Sequence, residues 1–208
     1  MMKSKAKPAA KTRIQSQNQD LILKAALDVF STYGFRGATV DQIANKCGLS
    51  KPNLLYYFRR KEDIYTAVLE HTLTEWLIPL RLLEVGNDPI TELTHYIVTK
   101  LEMSERNPAA SRLFANEILH GAPHIKKFLN GPLKDLIEAK AAVIRTWIAA
   151  GKIRPIDPHH FIFSIWAVTQ HYADFAAQVE ALMGPNLDPH KTRNAVLDIL
   201  LNGLKVKL

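Results

Sequence analysis

The stretch TVDQIANKCGLSKPNLLYYF, residues 39–58, decides the fold of the first third of this chain. Thr39 can cap a helix, and Gln42, three residues later, can complete a capping box. Gly48 permits a sharp reversal after that helix, and Ser50 can cap a second helix. Two short helices joined by a tight glycine turn form a helix-turn-helix.

A third helix is expected just before this stretch, because apolar residues there recur at helical spacing. Gly34 is well placed to end that helix. Residues 1–17 hold hardly an apolar side chain, so we expect a disordered basic arm there and a three-helix domain over 18–64. The apolar stripe consists of Leu21, Ile22, Ala25, Ala26, Val29 and Phe30.

Helical patterns also fill the rest of the chain, and none of it alternates in the manner of a β-strand. Proline and glycine mark the breaks between the patterns. The fold class is therefore predicted to be all-α, with a larger C-terminal helical domain over residues 65–208. The expected helices span about residues 59–84, 89–106, 108–120, 123–130, 132–151, 158–183 and 189–204.

Positive charge is concentrated at the N-terminal end of the chain. Residues 1–61 contain 12 lysines and arginines against three acidic residues, whereas residues 62–208 contain 15 against 17. The formal net charge of +7 therefore comes from the first third. This asymmetry indicates an acidic polymer as partner, although a basic segment that is merely solvated would look the same.

The second helix of the helix-turn-helix is the expected reader of DNA, because its N-terminal part enters the major groove in this motif. Lys51 can hydrogen-bond to guanine there, and Asn53 can hydrogen-bond to adenine. Tyrosine hydroxyls and the N-terminus of the preceding helix suit phosphate groups. The candidate DNA-contacting residues are Thr39, Ser50, Lys51, Asn53, Tyr56, Tyr57 and Lys61.

Two further expectations concern the surroundings of this helix. The basic arm, with Lys7, Lys11 and Arg13, can enter a neighbouring minor groove. Leu55 and Phe58 are expected in the core, because leucine and aromatic residues at helical spacing are usually buried.

The stretch ILKAALDVFSTYGFRGATVDQIANKCGLSKPNLLYYFRRKEDIY resembles the N-terminal domain of TetR-family transcriptional regulators. The resemblance covers about residues 19–65 and includes the segments FSTYGF, TVDQIA and LLYYF. It implies a homodimer, a near-palindromic double-stranded DNA operator and a separate all-helical ligand domain. Pro52 departs from the pattern, since many members of the family have glycine there.

The stretches EWLIPL, NPAASRLFANEILHGAP and SIWAVTQHYADF resemble one branch of that family, the pyrimidine-utilisation regulators. This resemblance implies a cytoplasmic protein that represses or controls pyrimidine and nitrogen genes. It also implies that uracil or thymine acts as the effector and relieves repression, with no other cofactor.

The residues themselves are compatible with a planar effector. Trp166, Gln170 and Asp174 share one helix face, where Trp166 offers a flat ring and Gln170 offers both a donor and an acceptor. A second wall and an acceptor for a ring N–H are expected from the long helix and from the segment LFANEILH. The candidate ligand-binding residues are Trp76, Leu77, Glu117, Trp166 and Gln170.

Simpler roles remain open for these side chains. Trp76 and Trp166 can be core tryptophans whose indole N–H has found a carbonyl, and Asp174 can belong to a dimer interface. Glu117 can instead pair with Arg112 or with Arg145.

Other classes of function receive little support from the sequence. It contains no glycine-rich phosphate loop and no H-E-x-x-H motif, so we do not expect an enzyme. His120 and His124 are four residues apart, but Gly121 and Pro123 break the helix that would put them on one face, so we do not expect a metal site. Cys47 is the only cysteine, which fits a reducing cytoplasm. No apolar run reaches the roughly 18 residues that a membrane span needs.

Broad apolar faces near the C-terminal end favour pairing with a second copy of the chain. The sequence therefore predicts a dimeric, ligand-responsive repressor. Three alternatives remain: a repressor with another small-molecule effector, a DNA-binding protein without an effector, and an enzyme acting on a small heterocycle.

Overall fold

The computed structural model describes residues 13–204, and all regular structure in that range is helical, which confirms the all-α prediction. A π-helical turn (Leu129–Leu133) joins α8 to α9, and a 3-10 turn (Asn202–Leu204) follows α12. The helices are α1 (Arg13–Gly37), α2 (Val40–Cys47), α3 (Lys51–Tyr57), α4 (Lys61–Trp76), α5 (Ile78–Arg81), α6 (Pro89–Arg106), α7 (Pro108–Leu119), α8 (Lys126–Phe128), α9 (Lys134–Ala149), α10 (Pro158–Asp174), α11 (Ala176–Met183) and α12 (Pro189–Leu201).

The chain divides into two compact units between Val68 and Leu69, within α4. In the first unit, α1 packs on α2 and α2 packs on α3. The Phe30 ring lies edge-on to the Tyr65 ring at a centroid distance of 4.9 Å. Fully buried side chains from all four helices close this core, namely Ile22, Phe30, Ile43, Leu54 and Ile64.

Local capping builds the α2–α3 turn as the sequence predicts. The Thr39 N–H donates to Gln42 Oε1 at 2.8 Å, and the Gln42 N–H donates to Thr39 Oγ1 at 3.2 Å. Gly48 adopts a left-handed conformation with φ 70°, and its N–H donates to the carbonyls that end α2. Ser50 Oγ then accepts from the Asn53 N–H at 3.4 Å and caps α3.

Two expectations about the first unit need correction. Helix α1 begins at Arg13, so residues 13–17 are helical, and the remainder of the expected arm lies outside the described residues. Leu54 is the fully buried residue of α3, whereas Leu55 and Phe58 are only half-buried. The short α3 presents one residue per turn to the core, so a run of adjacent apolar letters overstates its buried face.

The second unit is built around α6 and α10, which pack along much of their length. Helix α7 also packs on α10, α12 packs on α6, and α9 packs on α10. The enclosed core between these helices includes Leu80, Leu93, Tyr96, Ile97, Ile144, Trp147, Ile162, Ile165 and Val196.

Three helix boundaries in the second unit differ from the predictions. The expected helix 59–84 begins at Lys61 and divides at Leu77, because Pro79 lacks the N–H that would continue it. The predicted break between two helices at residues 130–132 is absent, because the π-helical turn accommodates Pro132 and joins α8 to α9. The expected helix 158–183 breaks at Phe175, whose backbone, at φ −112° and ψ 32°, leaves the helical conformation. The Phe175 ring stacks on the His171 ring with the centroids 5.1 Å apart.

Gly48→Ala is expected to destabilise the first unit by about 1 kcal/mol, because an L-residue is strained in the left-handed conformation. A Cβ at Gly48 would meet nothing within 4 Å, so steric contact adds no further cost. Gly37→Ala is the matched control, since its Cβ would make an ordinary contact with Tyr33 Cβ at 3.5 Å. Calorimetric unfolding of both variants tests this expectation, and equal midpoints would contradict the role of Gly48.

Candidate DNA-binding surface and effector site

The N-terminal part of α3 is exposed in the first unit. Lys51, Asn53 and Tyr56 all lie at the surface, and Tyr56 is 72% exposed. The Lys51 ammonium lies 2.8 Å from Asp41 Oδ2 of α2, and both side chains are about half exposed. Lys51 is therefore oriented by a neighbouring carboxylate while its ammonium stays accessible to a ligand.

The two adjacent tyrosines of α3 have different surroundings. The Tyr57 hydroxyl accepts a hydrogen bond from Asn18 Nδ2 of α1 at 2.8 Å, so this side chain braces α3 against α1. The Tyr56 ring lies edge-on to the Tyr57 ring at 5.3 Å and points outward. The hydroxyl of Tyr56 is thus the more available of the two.

Lys61 has a structural role that the sequence analysis missed. Its ammonium donates to the Phe35 carbonyl at 2.8 Å and to the Ala38 carbonyl at 2.9 Å, and it lies 4.7 Å from the centroid of the Phe35 ring. Lys61 therefore holds the segment between α1 and α2, directly before the exposed Thr39. A lysine at the first position of a helix gives no local sign of such a contact.

In the second unit, α6 and α10 face each other with two polar pairs. The Trp166 indole N–H donates to the Tyr96 hydroxyl at 2.6 Å. Burial raises the pKa of Tyr96, so this hydroxyl stays protonated. Trp166 is thus anchored through a hydroxyl rather than a carbonyl. Gln170 follows Trp166 by one helical turn and is half-buried.

The second pair is Lys100 of α6 and Asp174 of α10, whose charges attract each other without an ion pair within 4 Å. Lys100 is only 5% exposed, and its Nζ lies 5.3 Å from the centroid of the Trp76 ring. Asp174, at the C-terminal end of α10, accepts a hydrogen bond from the Ser111 hydroxyl of α7. The partial negative charge of that helix end disfavours a carboxylate, and Lys100 and Ser111 offset it.

Burial lowers the pKa of Lys100 from 10.5 to about 8, and the Asp174 charge only partly opposes this effect. The charged ammonium therefore disfavours the folded state by about 3 kcal/mol at neutral pH. Because the pKa is lowered on folding, this cost is present below pH 8. It disappears as the pH rises towards 10.5, where the lysine of the unfolded chain also loses its proton.

Trp76 and Leu77 both lie in the interior of the second unit. Trp76 is buried, with its ring edge-on to Phe114 at 6.0 Å and one face towards Lys100. Leu77 packs in the apolar core. Trp76 thus shares a site with Lys100, whereas Leu77 is placed as a supporting core residue.

The buried carboxylate of Glu117 pairs with neither Arg112 nor Arg145, which corrects that alternative. The His124 N–H donates to Glu117 Oε1 at 2.7 Å, and His124 Nδ1 lies 3.1 Å from Oε2. The intervening loop needs unusual backbone conformations, with φ 87° at Gly121 and φ 55° at Ala122. Glu117 therefore tethers this loop to α7.

The candidate effector site thus combines residues from four helices, α4, α6, α7 and α10. Trp76, Trp166 and Gln170 were predicted from the sequence, whereas Lys100 and Ser111 were not. A lysine four residues after Tyr96, within the apolar stripe of α6, was the available signal for Lys100.

Residues 13–204 contain no group of three or more histidine, cysteine, aspartate or glutamate side chains placed to hold a metal ion. None of the helices in that range combines the length and the apolar character needed to cross a membrane.

Comparison with known proteins agrees with this division into two units. Residues 22–68 match the bacterial regulatory proteins of the tetR family, and residues 69–207 match the YcdC-like protein C-terminal region. The HTH-type transcriptional regulators RutR of Escherichia coli and Shigella flexneri are 47% identical over 199 residues, which are 94% of this chain and 94% of theirs.

More distant relatives share the same architecture. The HTH-type transcriptional repressor NicS of Pseudomonas putida is 31% identical over 149 residues, 69% of each chain. A TetR-like transcriptional regulator from Rhodococcus sp. superimposes with a TM-score of 0.66, covering 94% of this chain and 98% of that one at 19% identity, which shows the fold alone. The chain therefore belongs to the TetR family of transcriptional regulators, with a helix-turn-helix unit followed by a YcdC-like C-terminal region.

Proposed function

We propose that the chain is a dimeric repressor of pyrimidine and nitrogen genes that leaves its operator when uracil or thymine binds. The 47% identity to RutR over 94% of the chain carries this proposal, because RutR homologues regulate pyrimidine utilisation. The exposed N-terminal part of α3 and the buried aromatic and polar side chains of the second unit support it.

The DNA-binding mode follows from the exposure of α3. Lys51 and Asn53 read base edges in the major groove, and Tyr56 donates its hydroxyl to a phosphate. Thr39 and Ser50 place the N-termini of α2 and α3 against the DNA backbone. The free N–H groups and the dipole at each helix N-terminus favour a phosphate. Tyr57 and Lys61 act mainly by orienting α3 and the segment before α2, since their polar atoms already have protein partners.

The exchange of Asp41 for DNA at Lys51 costs little. Both side chains are about half exposed, and exposed ion pairs contribute only about 0–1 kcal/mol. A guanine that accepts from the same ammonium provides more than this amount. Asp41 therefore keeps Lys51 oriented in the free protein without blocking its use.

The effector in this proposal lies between α6, α7 and α10. Trp166 and Trp76 supply flat aromatic surfaces, and Gln170 supplies a donor and an acceptor for the edge of a cyclic imide. Both carboxylate oxygens of Glu117 already have His124 as a partner, so we assign Glu117 to holding the loop 120–124.

Dimerisation in this proposal uses the apolar side chains that α10, α11 and α12 leave exposed. Large apolar side chains left exposed on neighbouring helices favour an interface between two copies. Two recognition helices would then meet half-sites about 34–36 Å apart on one side of the operator. The exposed apolar residues are Phe163, Phe175, Leu182, Met183 and Ile199.

Lys51→Ala is expected to weaken operator binding by about 10- to 100-fold, because a lysine contact to a base contributes roughly 1–3 kcal/mol. The operator is first selected from a random DNA library with the wild-type protein. Fluorescence anisotropy at physiological salt then measures its affinity for both proteins. Lys127→Ala, an exposed lysine of the second unit, is the matched control and should bind as the wild type does. Unchanged affinity of Lys51→Ala would remove α3 as the reading helix.

Uracil or thymine is expected to raise the unfolding free energy by about 2.7 kcal/mol at a concentration one hundred times its dissociation constant, and to release the operator. Gln170→Ala should lose this response while binding the operator without ligand. The control Gln178→Ala changes an exposed glutamine of α11 and should respond normally. Calorimetry and anisotropy with uracil, thymine, cytosine, uric acid and β-alanine test the effector. Absence of any shift with uracil and thymine would refute them as effectors, while the DNA-binding assignment would stand.

A further inference from the structure

Lys100 occupies an unusual position for a lysine. It lies on the inward face of α6, beside the buried Ile97 and Leu101, and the whole residue is only 5% exposed. Lysine is almost never buried to this extent without a partner for its charge. A side chain that disfavours folding in this way calls for a compensating role.

The protein itself leaves the hydrogen bonds of this ammonium unmade. Within residues 13–204, Lys100 Nζ donates no hydrogen bond and takes part in no ion pair within 4 Å. Its neighbours are the face of the Trp76 ring and the charge of Asp174, whose carboxylate already accepts from the Ser111 hydroxyl. Three N–H groups of the ammonium thus remain available for an acceptor from outside the chain.

The ammonium is not completely sealed from solvent. In the described part of the chain, every side-chain nitrogen or oxygen that is completely enclosed has a hydrogen-bond partner. Lys100 Nζ lacks such a partner, so it is not completely enclosed. Beside Nζ lie the face of the Trp76 ring and the charge of Asp174, and Gln170 precedes Asp174 by one helical turn in α10.

We propose that Lys100 is the specificity-determining residue of the effector site, donating hydrogen bonds to a ring carbonyl oxygen of a planar oxo-heterocycle that lies against Trp76. This inference rests on the proposed function, because the ligand occupies the same site. Gln170 recognises the imide edge of the ring, and Lys100 recognises a carbonyl. An amino group in place of that carbonyl would oppose donor to donor, so the site rejects cytosine in favour of uracil.

A purely structural role for Lys100 would be a cation–π contact that ties α6 to Trp76. The two roles predict opposite behaviour of the empty protein. A structural contact stabilises the chain without ligand, and its removal lowers the melting temperature. A recognition residue held without acceptors destabilises the empty protein, and its replacement by an apolar side chain of similar length raises the melting temperature.

The test compares the full-length wild type with Lys100→Met, Lys100→Gln and the exposed control Lys127→Met. Titration calorimetry measures the binding of uracil, thymine, uric acid and cytosine, and melting without ligand shows that each variant is folded. Lys100→Met should melt higher than the wild type and bind uracil about 10- to 100-fold more weakly, because a hydrogen bond from a charged group is lost. Lys100→Gln keeps a donor and should recover part of this loss, and Lys127→Met should bind as the wild type does.

A second comparison changes the ligand instead of the protein. Replacing either carbonyl oxygen of uracil by sulfur, in 2-thiouracil and 4-thiouracil, gives a weaker hydrogen-bond acceptor at that position. The wild type should discriminate against one of the two thio compounds, and this preference should disappear in Lys100→Met. A merely structural lysine would leave the preference for oxygen unchanged.

The outcomes separate this inference from the proposed effector. Unchanged uracil affinity in Lys100→Met, or an unchanged preference for oxygen, would overturn the role of Lys100 and leave uracil as effector. Lys100-dependent binding of uric acid by a wild type that does not bind uracil or thymine would support the role of Lys100 and refute the pyrimidine effectors. A wild type that binds none of the oxo-heterocycles would contradict both.

Discussion

The contact between α6 and α10 is the interaction on which the second unit depends. One hydrogen bond, from the Trp166 indole to the Tyr96 hydroxyl, satisfies two polar groups within an apolar interface and thereby fixes how the helices lie against each other. Lys100 and Asp174 are brought near each other by the same register, one and two turns further along. A change at the first pair would therefore move the groups of the second.

This arrangement places apolar stabilisation and incompletely satisfied polar groups in one interface. The apolar part of the contact buries Leu93, Ile97 and Ile165 and supplies the hydrophobic stabilisation. The polar part is less favourable, because Lys100 lacks acceptors and Asp174 lies at a helix C-terminus. Ligand-binding sites often retain such locally unfavourable groups, since an interior whose polar groups are all paired has no free donor or acceptor for a ligand.

The sequence was most informative where the interactions are local. The capping box at Thr39, the reversal at Gly48 and the cap at Ser50 involve neighbours in the chain, and all three are present as expected. The tether between Glu117 and His124 depends on the conformation of a loop, and the break at Phe175 accompanies ring stacking on His171 with no glycine or proline to mark it. Lys100 and Ser111 were missed because their significance comes from α10, which lies far away in sequence. Long-range pairing of this kind leaves no period or spacing to detect.

The carboxylates that accompany the basic side chains of the first unit have a consequence for how the protein searches a genome. Lys46 lies 3.2 Å from Asp28, Lys51 lies 2.8 Å from Asp41, and Arg60 lies 3.2 Å from Asp63. Random DNA meets a surface whose cations are partly neutralised, so fewer counterions are released and each non-specific encounter is brief. In the proposed binding mode, a base that accepts from Lys51 replaces Asp41. Residence time on DNA in that mode therefore depends on sequence before any effector is involved.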